Sequence, residues 1–221
     1  MIVVIGGMIR SGSTFSFNIV RELLDREGEV EFASDNSIED STLEHSSKKS
    51  FILKTHNPDF NVLKLIKEGV LPCICTIRSP EDAILSWMRA FNFPLEHGIA
   101  QLKSWFSWYT TVANNVLTID YEIIENQPRL AIQLIIDYIG MKRDEVLIDM
   151  LEKEYDKLSI KTKFDDLTNN ENTVDIGFSY YDKETLFHRQ HITSLNPKLA
   201  QIELEPSQIH MIRSELREFL P

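Results

Sequence analysis

The sequence predicts an α/β fold in three layers, a central parallel sheet flanked by helices. Three observations predict it. Short apolar runs with strand character recur at 2–6, 50–55, 71–78 and 115–121. Helical patterns lie between and after them, at 13–26, 59–68, 80–91, 95–113, 127–140, 143–158 and 206–219. Strands alternating with helices build a parallel sheet covered on both faces. The first strand then runs through a glycine-bearing turn into a helix, "IVVIGGMIRSGSTFSFNIV", the local order of a phosphate loop. A length of 221 residues suits one domain spanning 1–221.

In chain order, Ile2 to Ile5 form a buried strand. Gly7-Met8-Ile9-Arg10-Ser11-Gly12-Ser13-Thr14 follows the pattern G-x-x-x-x-G-K-[ST] at all but one place. This points to a P-loop NTPase-like arrangement. Ser13 stands where lysine belongs, and the loop's only cation is Arg10, three residues earlier. Gly6, Gly7 and Gly12 permit close backbone approach. The amides of Ser11, Gly12, Ser13 and Thr14 then face a phosphate at the helix start. An ordinary strand-to-helix turn, with Ser11 or Ser13 as N-cap, is the competing reading.

Residues 33–50 are polar and read as a loop. The strand over 50–55 delivers Lys54-Thr55-His56-Asn57-Pro58 at its carboxyl end, where ligands sit in parallel α/β sheets. Lys54 and His56 share a parity, so both can face one side. A histidine beside a lysine suits base catalysis next to an anion; two solvated strand-end residues are the alternative. Cys73 and Cys75, the only cysteines, alternate on the next strand. They read as two reduced core thiols, which fits a reducing cytoplasm.

Arg78 ends that strand. Ser79 then reads as an N-cap, with Pro80 at the first helical position and Asp82 completing an imperfect capping box. Ser86 lies on the helical face of Ser79 and Asp82, so Arg78 and Ser86 can converge on one anion. A capped helix with a plain serine inside it is the alternative. Trp87, Phe91, Phe93, Trp105, Phe106, Trp108 and Tyr109 either line a pocket or fill the core. "VLTID", ending at Asp120, has the form of a metal-binding Walker B strand, as a P-loop kinase or nucleotide hydrolase would need. Residues 159–185 are polar with scattered aromatics and read as a cover or a spacer.

The formal net charge of −11 argues against a nucleic-acid partner. It leaves room for a small anion held by local cations and a helix N-terminus. No apolar run approaches the roughly 20 residues of a membrane span, and no secretory leader is visible at the start. A cytoplasmic protein without a membrane segment is expected.

Taken together, these sites resemble the cytosolic-type sulfotransferases that use 3′-phosphoadenosine-5′-phosphosulfate (PAPS). The family's P-K-S-G-T-T-W loop matches Ile9-Arg10-Ser11-Gly12-Ser13-Thr14-Phe15, and its K-T-H-x-P matches Lys54-Thr55-His56-Asn57-Pro58. Its 3′-phosphate arginine and serine stand eight positions apart, as Arg78 and Ser86 do. "HGIAQLKSWFSW" is similar to its H-x-x-x-W-W helix, and "VLTIDYEIIENQP" to its V-L-x-x-x-Y-E-D-x-x-x-x-P segment.

The resemblance implies transfer of a sulfuryl group from PAPS to a hydroxyl of a small acceptor, with 3′-phosphoadenosine-5′-phosphate (PAP) as product. It implies His56 as base, Lys54 and Arg10 as stabilisers of the transferring group, and Tyr121 as an adenine contact. The leaving phosphate needs charge stabilisation and not a proton, so Arg10 serves and no metal is expected. The family's C-terminal R-K-G-x-x-G is not visible; "FHRQHIT" over 187–193 occupies a comparable place, with Arg189 as the candidate. His188 and His191 alone do not make a metal site. The acceptor pocket is expected from 28–50, 91–110 and 159–185. A non-catalytic nucleotide-binding module is the third reading; it would have no need of His56.

Overall fold

The computed structural model describes residues 1–38, 49–165, 167–175, 177, 179–188, 192 and 203–219. β1 (Ile2–Ile5), β2 (Val30–Ser34), β3 (Ser50–Lys54), β4 (Cys73–Ile77) and β5 (Leu117–Asp120) form one parallel sheet, in the order β2-β3-β1-β4-β5. β1 lies at its centre, with Ile5 level with Lys54 on β3 and with Ile74 on β4. The turn that follows β1 and the Lys54 end of β3 therefore leave the sheet side by side.

Side-chain alternation divides the core into two layers, as a doubly covered sheet requires. Val3, Ile5, Ile52, Ile74 and Ile119 face one side. There they pack on α1 (Ser13–Asp25), α6 (Pro128–Tyr138) and α7 (Glu145–Glu154). Val4, Leu53, Cys73 and Cys75 face the other side. α2 (Phe60–Lys67), α3 (Pro80–Phe91), α4 (Leu95–Val112) and α9 (Pro206–Glu215) cover them. The two thiols share a face, as their spacing predicts. Both are free, with sulfurs 3.8 Å apart, too far for a disulfide bond.

All four strands expected from apolar runs are present, and β2 is an addition. Val30–Ser34 is a half-exposed edge strand, so its pattern is diluted by Glu31, and Phe32 is its main anchor. That ring meets Phe17 edge-on at 5.1 Å. The helix expected over 143–158 is two helices, α7 and α8 (Lys157–Phe164). Asp156 breaks it, because its carboxylate accepts from the amides of Leu158 and Ser159 and caps the second helix. Asp120 likewise caps a short helix, α5 (Tyr121–Asn126), by accepting from the Glu122 amide at 2.7 Å. The 159–185 stretch is not structureless, since β6 (Thr173–Asp175) and β7 (Tyr180–Asp182) pair antiparallel within it.

The turn after β1 is fixed to its neighbours. Gly6 donates its amide to the Ile74 carbonyl and Met8 donates to Thr76, both at 2.9 Å, so ladder-like pairing runs on beyond β1. The Trp105 indole donates to the Gly6 carbonyl at 2.7 Å. A Cβ on Gly7 would lie 2.2 Å from Thr76 Oγ1 and 2.7 Å from Ser13 Cβ. Gly7→Ala is therefore expected to destabilise the protein by about 1–3 kcal/mol, the usual cost of overpacking. At this chain length each kcal/mol lowers the melting temperature by roughly 2–4 °C. A thermal melt checks this, and an unchanged midpoint would mean that the loop can move off β4 at little cost.

Candidate active site

The carboxyl ends of β1, β3, β4 and β5 open into a cavity of about 390 Å³. Arg10, Gly12, Ser13, Thr14, Lys54, His56, Arg78, Ser86 and Tyr121 all lie on its wall. Strand order explains the convergence: elements distant in sequence end at one edge of a parallel sheet. Ser11 is the exception. Its hydroxyl turns inward, 2.6 Å from the Met8 carbonyl, 2.9 Å from the Thr76 carbonyl and 2.6 Å from the Thr76 hydroxyl, and it is fully buried. Its side chain clasps the loop to β4. Arg189, the remaining candidate, lies outside the described residues, as does His191.

The simple-turn reading, with Ser11 or Ser13 capping the helix, is corrected. The N-cap is Gly12 at φ +93°, with no side-chain cap bond. A left-handed N-cap leaves the first amides of α1 without a serine acceptor, and they have no partner within the helix ladder. Arg10 also holds a left-handed backbone, φ +56°, uncommon for a residue with a Cβ. The conformation turns its side chain along the cavity. Its Nε donates to Ser86 Oγ at 3.0 Å and its Nη1 donates to His188 Nε2 at 3.2 Å. Arginine has no acceptor, so His188 presents an unprotonated Nε2 to it.

Arg78 closes the same corner. Its Nη1 donates to the Arg10 carbonyl at 3.2 Å, and its guanidinium lies 4.2 Å over the Tyr121 ring. The Ser79 cap holds as expected, accepting from the Asp82 amide at 3.4 Å. Burial, and then Arg78, lower the Arg10 pKa to about 10. Arg10 stays charged at neutral pH, but two guanidinium groups brought together in a buried corner favour an anion between them.

Lys54 and His56 occupy the adjoining wall. Burial lowers the Lys54 pKa to about 8. Burial first, and Lys54 second, lower the His56 pKa to about 4, against the opposing pull of the Gly7 carbonyl. That carbonyl accepts from His56 Nδ1 at 2.6 Å, which fixes the proton on Nδ1 and leaves Nε2 as a lone pair. The Trp108 indole anchors the same residue by donating to the His56 carbonyl at 2.9 Å.

The aromatic residues divide between two roles. Trp105, Phe106 and Trp108 are core, and Tyr109 stacks on Trp105 at 4.4 Å. Trp87 and Phe91 line the cavity. Of the segments expected to build an acceptor pocket, only Phe91 and Ile160 reach the wall among the described residues; it draws instead on 155–160 and 186–188. Glu125 and Lys157 are wall residues that motif reading passed over, while Phe187 and His188, from the 187–193 stretch singled out in the sequence, also reach the wall. A helical period carried on from Tyr121 would have found Glu125, at i+4. Asp120 caps α5 and is not among the wall residues, which lends the Walker B reading no support.

Among the described residues no helix is long and apolar enough to cross a membrane, and no group of three or more His, Cys, Asp or Glu is placed to hold a metal. No curated protein matches the chain. Among solved structures it is similar to mouse sulfotransferase SULT7A1 complexed with PAP, with TM-score 0.64 and 16% identity over 98% of this chain and 83% of that one. Retinol dehydratase in complex with retinol and PAP matches at TM-score 0.62 and 16% identity, covering 99% of this chain and 81% of that one. The complex of retinol dehydratase with androsterone and inactive cofactor PAP gives TM-score 0.61 and 13% identity, over 99% and 80%. These likenesses establish the shared fold. The family model of the sulfotransferase domain matches residues 3–191, well over half of the sequence, and the chain belongs to that family.

Proposed function

We propose that the chain transfers a sulfuryl group from PAPS to the hydroxyl of a small acceptor. One observation carries the reading. In a member of the sulfotransferase family, an arginine pair with Ser86 and a Lys54–His56 pair share a single cavity at the strand ends. The PAP held by the structural neighbours supports the same nucleotide class here.

The residues present fit such a nucleotide. Arg78 and Ser86 would hold the 3′-phosphate. Arg10 and the amides opening α1 would hold the 5′-phosphosulfate. Tyr121, beneath Arg78, would contact the adenine. PAPS supplies the sulfuryl group. His56 Nε2 removes the acceptor's proton as the acceptor oxygen bonds to sulfur. The electron pair of the breaking sulfur–oxygen bond stays on the 5′-phosphate, where Arg10 and Lys54 neutralise it. His56 then returns its proton to solvent. A pKa of about 4 in the free protein keeps His56 unprotonated before binding. The incoming anion favours the charged form and raises its basicity toward the working range.

PAP without magnesium is expected to stabilise the protein, and binding at pH 8.5 should take up protons. Free Lys54, with a pKa of about 8, is then largely neutral, and an adjacent anion restores its charge. Calorimetry in two buffers of different ionisation enthalpy measures the uptake, and Lys54→Met should abolish it. Strong binding of ATP with Mg²⁺, and none of PAP, would return the protein to the kinase reading.

Arg78→Ala should weaken PAP at least tenfold, since a hydrogen bond to a charged group contributes about 1.5–3 kcal/mol. It should barely affect the nucleotide lacking the 3′-phosphate. Equal losses on both would show that Arg78 acts through its hold on the Arg10 carbonyl.

His56→Ala should lower turnover by about 10²–10⁴-fold, the usual range for a lost general base, with PAP affinity little changed. Its turnover is measured on whichever of a panel of phenols, alcohols and sugars proves a good acceptor. Near-wild-type turnover there would remove His56 from the chemistry.

A further inference from the structure

Beyond the arginine corner the cavity wall carries a carboxylate. Glu125 lies on α5, one turn after Tyr121, and forms an ion pair with Lys157; both line the cavity. The Glu125 side chain is only 9% exposed, and Lys157 donates to its Oε1. The Tyr121 hydroxyl, whose pKa burial raises, lies close enough for Glu125 to raise it further. The second oxygen, Oε2, has no well-aligned hydrogen bond among the described residues. A buried carboxylate oxygen without a donor is costly. In a pocket for a polyanion the charge is also repelled by every phosphate. Lys157 offsets the charge, and a donor brought by the ligand would satisfy the oxygen.

Away from its acidic groups, an adenine nucleotide has two kinds of donor, the exocyclic amino group of the base and the ribose hydroxyl. The surroundings favour the base. Ile124 and Pro128, near Glu125 in sequence, and Ile160, one turn after Lys157 on α8, line the same cavity and offer apolar surface to a ring. Lys157 sets a donor beside the acceptor. An acceptor next to a donor complements the edge of a 6-aminopurine, where the amino group adjoins a bare ring nitrogen.

We propose that Glu125 and Lys157 read the edge of the base. Glu125 Oε2 accepts from the exocyclic amino group, and Lys157 donates to the neighbouring ring nitrogen. The pair thereby selects adenine over a purine with a carbonyl at that position. The inference rests on the nucleotide reading of the cavity given above.

The test compares calorimetric affinities for PAP, its inosine counterpart and its 2′-deoxy counterpart. Wild type should prefer PAP over the inosine nucleotide by about tenfold or more. Glu125→Ala should bring that ratio to within about threefold of unity, and the 2′-deoxy nucleotide should lose equally little on both proteins. Glu125→Gln keeps the shape of the side chain and should lower the ratio part of the way, so the test survives if the alanine variant fails to fold. An unchanged ratio in the folded variants overturns the inference. So does a wild-type ratio near one, or a preference carried by the 2′-hydroxyl. If wild type binds none of the three nucleotides, the underlying reading falls with it.

Discussion

The backbone of Gly6 and Gly7 is held from several directions at once. β4 takes the Gly6 and Met8 amides, Trp105 takes the Gly6 carbonyl, and His56 takes the Gly7 carbonyl. Thr76 leaves no room for a Cβ at Gly7. The first strand's exit is thereby locked to the neighbouring strands on either side. A single hydrogen bond, His56 Nδ1 to the Gly7 carbonyl, ties the proposed base to the loop after β1 and selects its tautomer. Movement of the loop would both redirect Arg10 and release the imidazole. Preorganisation of this kind would keep the proposed reacting groups in register without reorganisation during transfer.

The same compactness costs stability in the free protein, with a definite sign. The folded-state pKa of Lys54 is about 8 against an ordinary 10.5, and that of His56 about 4 against 6.5. Each group binds fewer protons folded than unfolded between its two values. Linkage therefore makes the free protein lose stability as pH falls from 10.5 to 8 through Lys54, and from 6.5 to 4 through His56. Below each window that loss is complete. Charge held in a buried site without a counter-ion is a standing penalty that binding an anion removes. It also explains how a protein of net charge −11 can offer a cationic pocket: the cations are few and local.

Much of this was legible because the chemistry sits where periodicity breaks. Lys54, His56 and Arg78 follow apolar strands, and Ser79 and Pro80 announce a helix start, so their places at the sheet's edge were predictable. β2 was not, since an edge strand buries one face and Glu31 interrupts its pattern. The split at Asp156 was not either, because an acidic residue inside a helical pattern reads as surface until its carboxylate is seen capping. Glu125 and Lys157 were illegible for another reason. They come from α5 and α8, about thirty positions apart, and their pairing exists only after α6 and α7 have packed on the sheet and returned the chain to the cavity.

The shape of the corner also accounts for the replacement of the loop lysine. Lysine at position 13 would point a single ammonium from the first turn of α1, suited to one β,γ-phosphate pair. Ser13 instead sits close against Gly7 on the cavity wall, with 6% exposure, and carries no charge. The charge moves to Arg10, whose left-handed backbone aims a planar fork across the cavity. One guanidinium edge meets Ser86 from α3 while a second nitrogen meets His188 from the far wall. A lysine could make one of these contacts but not both in fixed geometry. An arginine here spans from the loop, through α3, to the 186–188 segment, so the loop's cation also joins the two walls between which a nucleotide would lie.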